Sequence, residues 1–280
     1  MVDPLVTTDW LAEWIDDPEV QILDATWYMP GHGVTAAETY AEAHIPGAVR
    51  FDIDALSDTE ADLPHMLPGP GDFAKAAGAL GLRRDCILVV YDAQGLFSAP
   101  RVWWTLRVMG FPEVFVLDGG LKKWRAEGRR VSQTPHHFPV TKLSVRNNAR
   151  LVRDLDGVQA LLGGRGVQIV DARPAGRFRG EAPEPRAGLR SGHMPGALNL
   201  PWDSLVNPDG TLKAVAELRN QFKAARVDPD APVVATCGSG VSAALVALAL
   251  ARLGRSQVPI YDGAWTEWGG RADTAVVTGA

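Results

Sequence analysis

The sequence predicts an α/β protein of two domains, each a mostly parallel central sheet with helices on both faces. Three observations predict it. Short apolar, β-branched segments alternate with helix-forming segments along the 280 residues, the pattern of strands joined by helical crossovers. Those strand segments lack a polar face, as expected where a sheet is covered on both sides. Third, the second half of the chain repeats the plan of the first, the mark of an internal duplication at domain scale.

In chain order, Thr8-Asp9-Trp10-Leu11-Ala12-Glu13-Trp14-Ile15 reads as an N-capped amphipathic helix. Val20–Ala25 is a short strand. A helix-like segment then leads through Ile45-Pro46-Gly47-Ala48-Val49 to Phe51-Asp52-Ile53-Asp54. Ile87–Tyr91 is a strand, Arg101–Val108 a helix, and Val114–Asp118 a strand closed by Gly119-Gly120.

The second half answers piece by piece. Val167–Arg173 matches the Leu23-Asp24-Ala25 strand, and Gly192-His193-Met194-Pro195-Gly196-Ala197 matches Ala43–Ala48. Val233-Val234 matches Val89-Val90, Ser242-Ala243 matches Ser98-Ala99, and Asp262-Gly263 matches Asp118-Gly119, all three 144 residues apart. The stretch 132–149, polar and holding Pro135, His136, His137 and Pro139, marks the boundary. The expected division is 1–135, a linker at 136–149, and 150–280.

The composition, 46% hydrophobic and 22% charged, is that of a globular protein, and a net charge of -5 argues against nucleic-acid partners. Two cysteines, Cys86 and Cys237, without a Cys-x-x-Cys pair, exclude a disulfide framework and a cysteine zinc site. Residues 231–251 carry no charge, but Pro232 and the Cys237–Gly240 turn break them into strand, loop and helix, so no membrane span is expected. With no basic start or apolar core at Met1–Leu5, a cytoplasmic location is expected.

The chemistry points to Cys237-Gly238-Ser239-Gly240-Val241-Ser242. An apolar strand, Ala231–Thr236, ends there, and a run of good helix formers, Ala243–Ala251, begins. Two glycines let successive N–H groups turn inward, and the helix start adds its positive end. Such surroundings lower a thiol pKa from about 8.5 toward roughly 3.5–7.5, so that the thiolate is present at neutral pH. At the 144-residue offset the partner of Cys237 is Ala93, in a loop of the same length. The first domain is therefore expected to wall the cleft and not to form a second active site.

These pieces resemble the tandem-domain rhodanese sulfurtransferases over nearly the whole chain. The Cys237–Ser242 loop is similar to that of the 3-mercaptopyruvate sulfurtransferases, whereas thiosulfate-preferring relatives carry cations just after the cysteine. Also similar are His44–Ala48, Phe51–Asp54, His65–Pro68, Ser98–Trp104, Gly176–Gly180 and Glu184-Pro185-Arg186. Ser242 stands where threonine is commoner. The resemblance implies that Cys237 takes sulfur from 3-mercaptopyruvate as a persulfide, releases pyruvate, and passes the sulfur to a thiol, thioredoxin or cyanide. It implies that Arg177 and Arg186 hold the donor's carboxylate and carbonyl, a task that suits a guanidinium fork. Gly238, Gly240, Val241 and Ser242 would cradle the sulfur, and Ser239, His65 and Asp54 would form a proton relay. No cofactor or metal is expected.

Other features read as structural: Cys86 as a core thiol, His44 and His193 as repeated packing residues, and Trp103 and Trp104 as filling between sheet and neighbouring domain. Arg173 and Arg179 compete with Arg177 and Arg186 but lack a family match. The rival functions are a thiosulfate sulfurtransferase and a non-catalytic sulfur-binding module. A cysteine phosphatase is disfavoured, because its chemistry needs an arginine where Ala243 stands.

Overall fold

A computed structural model describes residues 3–164 and 166–279. The first half runs β1 (Leu5–Val6), α1 (Thr8–Trp14), β2 (Val20–Asp24), α2 (Ala36–Glu42), β3 (Ala48–Arg50), α3 (Pro70–Ala79), β4 (Ile87–Tyr91), α4 (Ala99–Val108), β5 (Val114–Leu117) and α5 (Gly120–Ala126). The second runs β6 (Val152–Arg153), α6 (Leu155–Gln159), β7 (Gln168–Asp171), α7 (Ala175–Phe178), β8 (Leu198–Asn199), α8 (Val215–Ala224), β9 (Val233–Thr236), α9 (Ala243–Arg252), β10 (Ile260–Tyr261) and α10 (Ala264–Gly270). Each half holds one five-stranded sheet, β1-β5-β4-β2-β3 and β6-β10-β9-β7-β8, and every strand pair is parallel. The duplication is therefore complete at the level of strand order. Among the described residues no helix is long and apolar enough to cross a membrane.

Strand periodicity divides the core. In β4, Leu88 and Val90 face a large cluster shared by both halves, while Val89 and Tyr91 face an outer cluster with Leu11 and Trp124. In β9, Val233 and Ala235 face the shared cluster and Val234 the outer one, with Trp265 and Trp268. Side chains alternate across a strand, so both sheets are buried on both faces. Between the sheets α4 packs against α9. Residues Ala243–Ala251 are all buried, which explains a helix without an exposed face.

The helix at α1 starts as expected but is capped by Thr7, whose Oγ1 accepts the Trp10 N–H at 3.1 Å. Trp103 donates its indole N–H to Val114 O (3.1 Å) and Trp104 to Leu151 O (3.2 Å), so the pair joins helix to sheet and one half to the other. His44 stacks on Tyr40 and His193 on Phe178, each buried with ring nitrogens near backbone carbonyls.

The halves also clasp each other reciprocally. Asp118, just after β5, accepts the Leu212 N–H of the second half at 2.7 Å. Its repeat, Asp262 just after β10, accepts the Leu67 N–H of the first half, also at 2.7 Å.

Candidate active site

Cys237 lies where β9 ends, with five residues (238–242) between it and the start of α9. The first carbonyls of this turn point toward α10: Cys237 O accepts the Trp265 N–H (2.9 Å), and Gly238 O accepts the Thr266 N–H and hydroxyl (2.9 and 2.6 Å). Among the described residues, the N–H groups of Gly238–Ala243 donate to no carbonyl or side chain. Cys237 is only 2% exposed, yet it lines a cleft of about 290 Å³ with Trp27, Phe97, Arg177, Arg186 and Trp202. It is thus a thiol at the floor of a cleft, unlike Cys86, whose Sγ lies in the core 3.9 Å from Pro18 O. A larger crevice of about 350 Å³, around Arg150, Val167 and Pro232, is lined by no Cys, His, Asp or Glu among the described residues.

The first half shows what this loop does with an anion. Ala25 N–H donates to Tyr91 O and Ala172 N–H to Thr236 O, both at 2.8 Å, and Leu121 N–H donates to Asp92 O as Trp265 N–H does to Cys237 O. These pairings put Asp92, not Ala93, in the place of Cys237. They also make the first loop one residue longer, with six residues (93–98) before α4 against five (238–242) before α9. The gapless 144-residue offset, which sets Val233-Val234 against Val89-Val90 one position out of strand register, hides that extra residue. The loop closes on the Asp92 carboxylate: Oδ1 accepts the Gln94 and Gly95 N–H groups (2.9 and 2.7 Å), and Oδ2 those of Ser98 and Ala99 (2.8 Å each). Burial pushes the Asp92 pKa up, and the four amides pull against it. In this half the loop is filled by its own chain.

Around Cys237 the arginines divide their work. Arg173 is buried against Asp171 and Glu184 (2.6 and 2.8 Å), with its guanidinium 4.1 Å over the Trp265 ring. Arg179 pairs at the surface with Glu181 (2.7 Å). Both competitors are thus committed elsewhere. Arg177, on α7, is oriented by the buried Glu184 carboxylate, with Nε 3.1 Å from Oε2, and faces the cleft. Arg186 makes no ion pair among the described residues; its Nη2 lies 3.4 Å from His65 Nε2. Burial lowers the Arg186 pKa, the Arg177 charge adds to this, and Cys237 and Asp54 pull it back. Two guanidinium groups therefore flank the thiol, a setting that can bind a carboxylate.

The glycines of the turn are explained by two of these cations. A β-carbon on Gly238 would sit 3.0 Å from Arg177 Nη2, and one on Gly240 (φ +79°) would sit 2.7 Å from Arg101 Nη1. Each glycine admits a guanidinium where a side chain would stand.

His65 comes from the first half. Its Nδ1 lies 2.9 Å from Asp54 Oδ1, a close contact off the hydrogen-bond direction. Asp54 Oδ2 accepts the Trp27 indole N–H at 3.0 Å, and the Trp27 ring meets the His65 ring edge-on at 4.9 Å. The His65 contact holds the Asp54 carboxyl below the usual range, against partial burial. With Asp54 on one side and the Arg186 N–H on the other, the proton belongs on Nδ1 and the lone pair on Nε2. Ser239 lines the cleft with Cys237 but makes no hydrogen bond to His65. The structure therefore joins Asp54, His65 and Arg186, and places Ser239 in the cleft that Arg186 and Cys237 also line. Trp27, Glu184 and Arg101 were not singled out from the sequence, although Glu184 and Arg101 stand in motifs that carry the resemblance.

The fold and the cysteine turn define the class. The model of the rhodanese-like domain matches residues 7–127 and again 154–271, and the chain belongs to that family. The chain is 48% identical over 272 residues to the 3-mercaptopyruvate sulfurtransferase of Escherichia coli K12, covering 97% of this chain and 96% of the relative. It is 42% identical to the human 3-mercaptopyruvate sulfurtransferase and equally to the bovine thiosulfate sulfurtransferase, in each case over 96% of this chain and 92% of the relative. Among solved structures, SseA from Escherichia coli, described as a 3-mercaptopyruvate sulfotransferase, superposes with a TM-score of 0.87 at 46% identity, covering 94% of this chain and 99% of that one.

Proposed function

We propose that the protein transfers sulfur from 3-mercaptopyruvate to a thiol acceptor through a persulfide on Cys237. The Cys237 thiolate attacks the donor sulfur. The carbon–sulfur bond breaks, its electron pair passes to the donor carbon, and the enolate takes a proton to leave as pyruvate. An acceptor thiolate then attacks the outer sulfur, the S–S bond to Cys237 breaks, and the thiolate is restored. Thioredoxin and cyanide can serve in place of a small thiol. The loop amides of Gly238–Ser242 hold the anionic sulfur, Arg177 and Arg186 hold the oxo acid, and Ser239, His65 and Asp54 relay the proton.

The observation that carries this reading is the pair of guanidinium groups beside Cys237, with a neutral Gly238 between the thiol and Arg177. A cation at position 238 would serve thiosulfate; here Arg177 already fills that space. Sequence identity supports both donors equally in the human and bovine relatives, so kinetics decide. With a thiol acceptor, kcat/KM for mercaptopyruvate should exceed that for thiosulfate; the reverse order would make the protein a thiosulfate sulfurtransferase. No persulfide on Cys237 after donor exposure would leave a sulfur-binding module.

We assign the domains to 1–135 and 150–280 with a linker at 136–149; the family matches fall within those limits. The two free, buried cysteines suit a reducing compartment, and we assign the cytoplasm.

A further inference from the structure

Arg101 is 2% exposed and comes from α4 of the half that lacks the nucleophile. Its guanidinium lies 4.6 Å over the Trp104 ring. Nη2 donates to the His65 carbonyl, and Nη1 lies 2.7 Å from Asp262 Oδ1 and 3.4 Å from the Gly240 carbonyl. Asp262 in turn accepts the Leu67 N–H, two residues past His65. One guanidinium therefore ties the relay loop of the first half to the cysteine turn of the second.

Two left-handed residues surround it. His65 has φ +61°, a conformation that non-glycine residues rarely adopt, and its carbonyl is the one Arg101 takes. Gly240 has φ +79°, and a β-carbon there would sit 2.7 Å from Nη1, so the turn leaves room for this arginine. Drawing the Gly240 carbonyl toward Arg101 turns the N–H of the same peptide, that of Val241, the opposite way.

We propose that Arg101, held by Asp262, is a positioning residue: it sets the Cys237 turn and the His65 loop in register, and without it the turn amides no longer converge on the sulfur. The proposal rests on the proposed role of Cys237 as the sulfur carrier. The repeat supplies its control. Asp118 makes the same backbone clasp as Asp262 at the equivalent place, but its arginine neighbour, Arg252, stands 3.7 Å away and touches neither catalytic loop. A role in mere adhesion of the halves would make the two aspartates equivalent.

The test compares Arg101→Lys, Asp262→Asn and Asp118→Asn in the full chain. Alkylation of Cys237 by iodoacetamide, followed by mass spectrometry across pH, needs no donor and so is independent of the assigned substrate. Arg101→Lys and Asp262→Asn should slow alkylation about tenfold at neutral pH. They should also lower kcat for mercaptopyruvate at least tenfold with KM changed little. Asp118→Asn should match the parent in both. Parent-like alkylation profiles in Arg101→Lys and Asp262→Asn would overturn the proposal. So would equal losses in the two aspartate variants, or unfolding of both Arg101→Lys and Asp262→Asn while Asp118→Asn stays folded. A parent protein inert toward mercaptopyruvate, with the alkylation pattern as expected, would overturn the donor and leave the positioning role standing.

Discussion

Arg177 packs its guanidinium so closely on Gly238 that a β-carbon at 238 would lie 3.0 Å from Nη2. Glu184 holds the arginine from behind, so the cation can give way only slightly. Gly238→Ala should therefore shift Arg177 by a few tenths of an ångström and lower kcat/KM for mercaptopyruvate by up to about tenfold, less than the roughly hundredfold cost of a 1 Å misplacement. Steady-state kinetics with unchanged values would remove this contact from the site.

Replacing Arg177 itself separates binding from chemistry. Arg177→Ala should raise KM for mercaptopyruvate about 10–100-fold, the range expected for a lost charge-assisted hydrogen bond, with a smaller effect on kcat. Arg177→Lys should recover only part of this, because a point charge does not reproduce the fork.

Cys237→Ser should abolish transfer from every donor, a loss of more than about a thousandfold, and no added sulfur should appear on the protein by mass spectrometry. Cys86→Ser should keep full transfer, because Cys86 is a core thiol outside the cleft.

Asp54 supplies a pH dependence of stability. Its folded pKa is depressed by His65, so its contribution is present above the unfolded carboxylate pKa of about 3.9 and fades as pH falls through the lower folded value. Asp54→Asn should be less stable than the parent near pH 6 by under about 1 kcal/mol, because the carboxylate is half exposed. Denaturant titrations should show that gap narrowing by about pH 3; a gap that holds or widens on acidification would remove the Asp54–His65 contact as its source.

The alternation of strands and helices, the repeat and the cysteine turn were legible because each leaves a local pattern: β-branched runs, matched dipeptides, and small residues between strand and helix. The two-residue strands β1, β6, β8 and β10 were not, since so few residues carry no periodicity. Ala93 falls opposite Cys237 in the sequence because Val89-Val90 also matches Val233-Val234 one residue out of register, while the longer first loop leaves the Ser98-Ala99 and Asp118-Gly119 matches in step. Arg101 looked like one more helical residue, and Gly240 like a residue chosen only for its backbone freedom. That a cation from the other half fills the missing side chain is a long-range fact. His65 was found through its motif, but its meeting with Arg186 depends on both halves closing on one cleft.

The carboxylate of Asp92, gripped by four peptide N–H groups, makes the noncatalytic half a lock with its key permanently inserted. Grafting a thiol at Ala93 would leave that key in place and the new sulfur outside the ring of donors. Engineering a second sulfur carrier into this chain must begin by exchanging position 92 itself and shortening the following turn by one residue.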